Sequence, residues 1–71
     1  MTETNYTERF GKNLKLIREF LDMPMDVLAK KSGLTVSAIS QIESGKREPS
    51  LKSICKILSA TGLSFDRMMK L

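Results

Sequence analysis

The amino-acid sequence predicts an all-α domain of five short helices, and three observations carry that expectation. Apolar residues recur at spacings of three and four rather than two. Most of these stretches follow Asn, Ser or Thr and stop at Gly or Pro, the residues that open and close helices. No stretch reads as a strand pair, an internal repeat or a low-complexity linker. A chain of 71 residues buries only about 60% of the surface its unfolded form exposes. We therefore expect one core and one domain over residues 1–71, with 1–5 as a flexible N-terminal tail.

Asn5 and Glu8 form the two ends of a capping box, and Phe10, Leu14, Ile17 and Leu21 follow at helical spacing, which predicts a first helix over about 6–22. Pro24 closes it and opens the next, because proline lacks the N–H that a helix interior needs but not the one its first turn leaves free. The second helix runs over Met25–Ser32, with Leu28 and Ala29 inward, Lys30 and Lys31 in the last turn and Gly33 as terminator. Thr35 caps a third helix that extends to about Ser44, apolar at Ile39 and Ile42, with Gly45 ending it. Ser50 caps a fourth, whose expected buried stripe is Leu51, Ile54, Cys55 and Leu58 and whose terminator is Gly62. Ser64 caps a short fifth helix bearing Phe65, Met68 and Met69.

Composition excludes several classes of function. With no His and one Cys, the chain cannot assemble a disulfide framework or a Cys/His zinc site within one molecule, and no cofactor is expected. It offers no Cys or Ser beside an activating base and no glycine-rich phosphate cradle, so an enzyme is not expected. No apolar run approaches a membrane span and the N-terminus is polar, which together with the cysteine usage predicts a cytoplasmic protein without membrane attachment. RNA binding is disfavoured on the expectation that no aromatic side chains are exposed for stacking. The formal net charge of +4 is concentrated between residues 30 and 56, where Lys30, Lys31, Lys46, Arg47, Lys52 and Lys56 face only Glu43 and Glu48. An acidic partner would dock there.

The segment Met25–Ser44 has the dimensions of two helices crossing at a steep angle through a tight turn. Ala29 is small where the helices approach, Gly33 stands where the turn needs a positive φ, and Leu28, Ile39 and Ile42 supply the apolar contact that fixes the crossing. Val36, Ser37, Ser40 and Gln41 share the opposite face of the third helix.

Through LIREF (Leu16 to Phe20) and LAKKSGLTVSAISQIESGKREPSL (Leu28 to Leu51), the sequence resembles the phage-repressor helix-turn-helix family of Cro/cI and XRE type. The resemblance implies a five-helix lambda-repressor-like fold whose third helix enters the major groove of double-stranded DNA. On that reading Val36, Ser37, Ser40 and Gln41 are the base contacts. Gln41 has the amide that pairs with adenine, Val36 the methyl groups that pack on thymine, and both serines hydroxyls that serve a base or a phosphate. No arginine is present on this face to read guanine. Thr35 serves as helix cap and as phosphate contact, while Lys46 and Arg47 lie along the DNA backbone. Arg18 and Glu43 correspond to a structural ion pair that ties the first and third helices together. One departure stands out: the family pattern has Gln at the start of the second helix, touching a phosphate, where this chain has Met25. Backbone N–H groups there remain as anion donors, less the one that Pro24 lacks and beside the negative Asp26.

The fifth helix carries more apolar surface than so short a terminal segment can bury, so Phe65, Met68, Met69 and Leu71 are expected at the interface of a homodimer. Two-fold symmetry would set two recognition helices about 34 Å apart on a pseudo-palindromic operator. The resemblance implies a repressor or autoregulatory controller, as of a phage or restriction-modification operon, or the DNA-binding module of a longer regulator. The alternative is a protein-binding adaptor or antitoxin-type partner that keeps the fold without the DNA face. Protein partners such as RNA polymerase, a toxin or an effector domain stay open.

Overall fold

The computed structural model describes residues 5–71, which form five helices and, among the described residues, no strand. Helix α1 spans Tyr6–Phe20, α2 Met25–Ser32, α3 Val36–Glu43, α4 Leu51–Thr61 and α5 Phe65–Met69. The tail expected over 1–5 falls largely on residues 1–4, outside the described residues, while Asn5 is the N-cap of α1.

Four of the five starts are set by one side-chain oxygen that accepts an otherwise unpaired backbone N–H. Asn5 Oδ1 takes the N–H of Glu8 at 3.0 Å, Thr35 Oγ1 that of Ala38 at 3.0 Å, Ser50 Oγ that of Ser53 at 3.1 Å and Ser64 Oγ that of Arg67 at 3.2 Å. Pro24 takes the fifth N-cap without a side-chain bond, its ring holding φ at −62°. At the other ends, Gly33 stops α2 at φ +74° and Gly62 stops α4 at φ +76°. A residue with a Cβ is strained in that conformation.

Helix α1 ends two residues before the expected boundary. Leu21 is its C-cap and Asp22 turns to φ +53°, a conformation that Asp tolerates better than most side chains. The reversal lets Met23 N donate to Arg18 O at 2.9 Å and delivers Pro24 to the start of α2.

One core joins all five helices. Phe10 and Leu14 of α1, Leu28 and Ala29 of α2, Ile39 and Ile42 of α3, Ile57 of α4 and Met68 of α5 are buried together. Each large aliphatic side chain among them contributes about 1.5–3 kcal/mol by leaving water. Two further buried contacts fix how α1 sits. Asn13 Nδ2 donates to the Met68 carbonyl at 2.8 Å, pinning α5 across the chain. Gly11 lies against the end of α3 so closely that a Cβ there would overlap the Ile42 carbonyl oxygen.

Two sequence expectations need correction here. The inward face of α4 is Ile57, fully buried, flanked by half-buried Ile54 and Leu58; Leu51 (77% exposed) and Cys55 point outward. Leu51 opens the helix beyond the edge of the core, so the packing of α4 on α2 selects a stripe rotated away from it. Met68 is completely buried in the protomer and has no surface to offer a second chain.

Candidate nucleic-acid interface

Helix α3 is eight residues long and divides cleanly into two faces. Ala38, Ile39 and Ile42 are buried, whereas Val36, Ser37, Ser40 and Gln41 are exposed, with Val36 keeping 45% of its surface. None of these four uses its side chain in a hydrogen bond with the described residues, although the Gln41 main chain is heavily engaged. Their polar and methyl groups are thus available to an outside surface. Thr35, also exposed, already spends one lone pair of its hydroxyl as the α3 cap.

The loop after α3 folds back on one atom. The Gln41 carbonyl accepts from Lys46 N at 3.0 Å, Arg47 N at 3.2 Å and Ser44 Oγ at 3.1 Å, with Gly45 supplying the φ of +77° that this reversal needs. Exposed Lys46 and Arg47 are thereby held just past the C-terminal turn of the helix. The neutral face of α3 continues into a cationic corner.

Glu43 is the only acidic residue of α3. Its carboxylate receives Arg18 Nε at 2.7 Å and Nη2 at 3.2 Å, while Arg18 Nη1 donates to the Met23 carbonyl at 3.0 Å. The side chains are 12% exposed for Arg18 and 4% for Glu43. The hydrogen bond to Glu43 raises the Arg18 pKa above its usual value, against a smaller opposing effect of burial, so the guanidinium stays charged. One guanidinium joins α1, the α1–α2 turn and α3. It also turns the one negative charge of α3 inward.

Helix α2 begins with half-buried Met25, which packs against the core rather than presenting a polar group. Among the residues expected at a dimer interface, Phe65 (50% exposed) and Leu71 (53% exposed) remain open, Met69 is half-buried, and the Phe65 ring stacks on Phe10 with centroids 6.4 Å apart. Tyr6 and Phe20 are also exposed, contrary to the expectation that no aromatic side chain is. They stand at opposite ends of α1, about 20 Å apart at 1.5 Å per residue, and so do not form one stacking platform. The residues that the sequence did not single out are Gly11 and Asn13, which set the placement of α3 and α5. A glycine inside a helical stretch, costly in propensity, is the signal that would have found the first. No group of three His, Cys, Asp or Glu residues that could hold a metal occurs among the described residues.

Two helices crossing through a glycine turn, with the second presenting an open polar face, define a helix-turn-helix protein. The Helix-turn-helix family model matches residues 14–68, and the chain belongs to that family. It is 43% identical over 56 residues to the HTH-type transcriptional regulator PuuR of Escherichia coli, a match over 79% of this chain and 30% of that protein. It is 35% identical over 63 residues to the HTH-type transcriptional repressor RghR of Bacillus subtilis, over 87% of this chain and 47% of that protein. The chain thus spans less than half the length of either curated relative. Among solved structures, the restriction-modification controller protein C.AhdI of Aeromonas hydrophila superposes with a TM-score of 0.82 at 30% identity, covering 90% of this chain and 96% of that one.

Proposed function

We propose that this protein is a sequence-specific regulator of transcription that binds double-stranded DNA through the outward face of α3. One observation carries the reading: α3 presents unengaged hydrogen-bonding and methyl groups to the outside while its only carboxylate is bonded inward to Arg18. A helix facing phosphates benefits from that arrangement, since an exposed acid there would repel them. Val36, Ser37, Ser40 and Gln41 contact base edges, and Thr35, Lys46 and Arg47 hold the backbone. The similarity to named transcriptional regulators supports the same reading.

In this proposal the protein acts as a cytoplasmic repressor or autoregulatory controller, by occupying DNA rather than by catalysis. No helix of the described residues is long and apolar enough to cross a membrane. A homodimer through α5, using Phe65, Met69 and Leu71 but not Met68, would read a pseudo-palindrome with half-sites about one helical turn apart. The apolar surface left open on that helix supports it.

The test is selection of bound duplexes from a random library by the purified protein at near-physiological salt. Enrichment of two symmetric half-sites about one turn apart is the expected result. Single half-sites would remove the dimer, and no enrichment would remove the DNA-binding reading in favour of a protein-binding adaptor. Replacing Lys46 and Arg47 with Ala is expected to weaken all sequences alike and to flatten the salt dependence by about one unit of log–log slope per lost phosphate contact.

A further inference from the structure

We propose that the half-site read by α3 is specified by A·T pairs alone, through Gln41 and Val36, and that α3 selects for neither guanine nor cytosine. This rests on the DNA-binding reading above and names its substrate more narrowly.

The argument is by chemical matching on the major-groove edge. Guanine offers two acceptors and is read by a cation with forked or multiple donors; the exposed face of α3 has no Lys or Arg. Cytosine offers an amino donor and is read by a carboxylate, and the one carboxylate of α3, Glu43, already accepts from Arg18 and is 4% exposed. Lys46 and Arg47 lie beyond the helix end, their backbone folded onto the Gln41 carbonyl. Ser37 and Ser40 have hydroxyls that rotate to donate or accept, so they bond any base and separate none well. Two discriminating groups are left. The Gln41 amide donates and accepts at once, matching adenine N7 and N6, and the Val36 methyl groups match the thymine C5 methyl.

Their placement makes the proposal more specific. Val36 and Ser40 form one row along the exposed face and Ser37 and Gln41 the adjacent row, each pair four residues apart. Val36 and Gln41 are five positions apart, about 7.5 Å along the helix axis. The two readers therefore stand at separate places on the exposed face, so the adenine and thymine contacts can be removed one at a time.

The experiment begins with the duplex enriched by the full chain and replaces single bases in it. Substituting 7-deazaadenine removes N7, and substituting deoxyuridine for thymidine removes the methyl group. The wild-type protein is expected to lose roughly fivefold or more in affinity at one adenine and at one thymine. Gln41→Ala should be indifferent to 7-deazaadenine but not to deoxyuridine, and Val36→Ser, which replaces the methyl groups with a hydroxyl, the reverse. Both residues are exposed, and circular dichroism of the variants checks that the helices persist. Invariant G·C pairs at the α3 positions, or a Gln41→Ala protein still as sensitive to 7-deazaadenine as the wild type, would overturn the assignment while leaving DNA binding intact. A library that yields no enriched sequence removes the DNA-binding reading beneath it as well.

Discussion

Helices α3 and α4 begin and end by the same chemistry, a hydroxyl cap at the start and a positive-φ glycine near the end, yet they are held in different ways. The eight residues of α3 bury three side chains and are fixed from outside by the Arg18–Glu43 pair and by the close approach of Gly11. The eleven residues of α4 bury only Ile57 completely and show Leu51 and Cys55 to solvent. The helix proposed to touch DNA is the one whose position is over-determined. Base discrimination needs a side chain placed to within a fraction of an ångström, whereas α4 needs only to close the core.

Substitutions sharpen that contrast. The largest effect is expected for Arg18→Ala, which strands the buried Glu43 carboxylate and costs about 3–5 kcal/mol. Because a domain of this size has roughly 4–10 kcal/mol in all, urea denaturation should find it near the unfolding threshold. The wild-type contribution of Arg18 does not vary near neutrality: its folded pKa is raised, so the stabilisation is complete below the usual arginine value and is lost only as pH rises through the raised one. Gly11→Ala should follow, at about 3 kcal/mol, because its Cβ meets a backbone carbonyl rather than a side chain that can move. Selected duplexes should bind this variant more weakly even at temperatures where circular dichroism shows it folded. On the α4 side, Ser50→Ala removes one cap and should cost about 1 kcal/mol in the same denaturation experiment. Cys55→Ser is expected to change stability by less than about 0.5 kcal/mol. A loss above that would mean that α4 is rotated from the orientation described.

Helix boundaries were the most legible part of the chain, because caps and terminators act locally. Asn5, Thr35, Ser50 and Ser64 each make the bond that their position predicts, and Gly33 and Gly62 each adopt the left-handed conformation. The end of α1 was misplaced because Asp22, not a glycine, makes the reversal. Rotation of α4 was not legible: a stripe of 51, 54, 55 and 58 and one of 54, 57 and 58 share two members, and only the surface of α2 decides between them. Met68 failed for a related reason, since burial of a short terminal helix depends on a remote partner, here the Asn13 amide that grips its carbonyl. At the candidate site, the split of α3 into two faces follows from helical periodicity alone. That Glu43 is unavailable to a base depends on Arg18, 25 positions away, a pairing that periodicity does not show but that the family resemblance implied.

The exposed side chains of Val36, Ser37, Ser40 and Gln41 make no hydrogen bond with the described residues, and this bears on how such a protein diverges. Substitutions at solvent-facing positions outside the core and its hydrogen-bond networks usually shift stability by less than about 0.5 kcal/mol. A duplicated copy can therefore change all four without approaching its folding threshold, and two copies in one cell can drift to separate targets while keeping a common scaffold. Thr35 and the Gln41 main chain, which serve the helix itself, are the parts of that surface least free to vary.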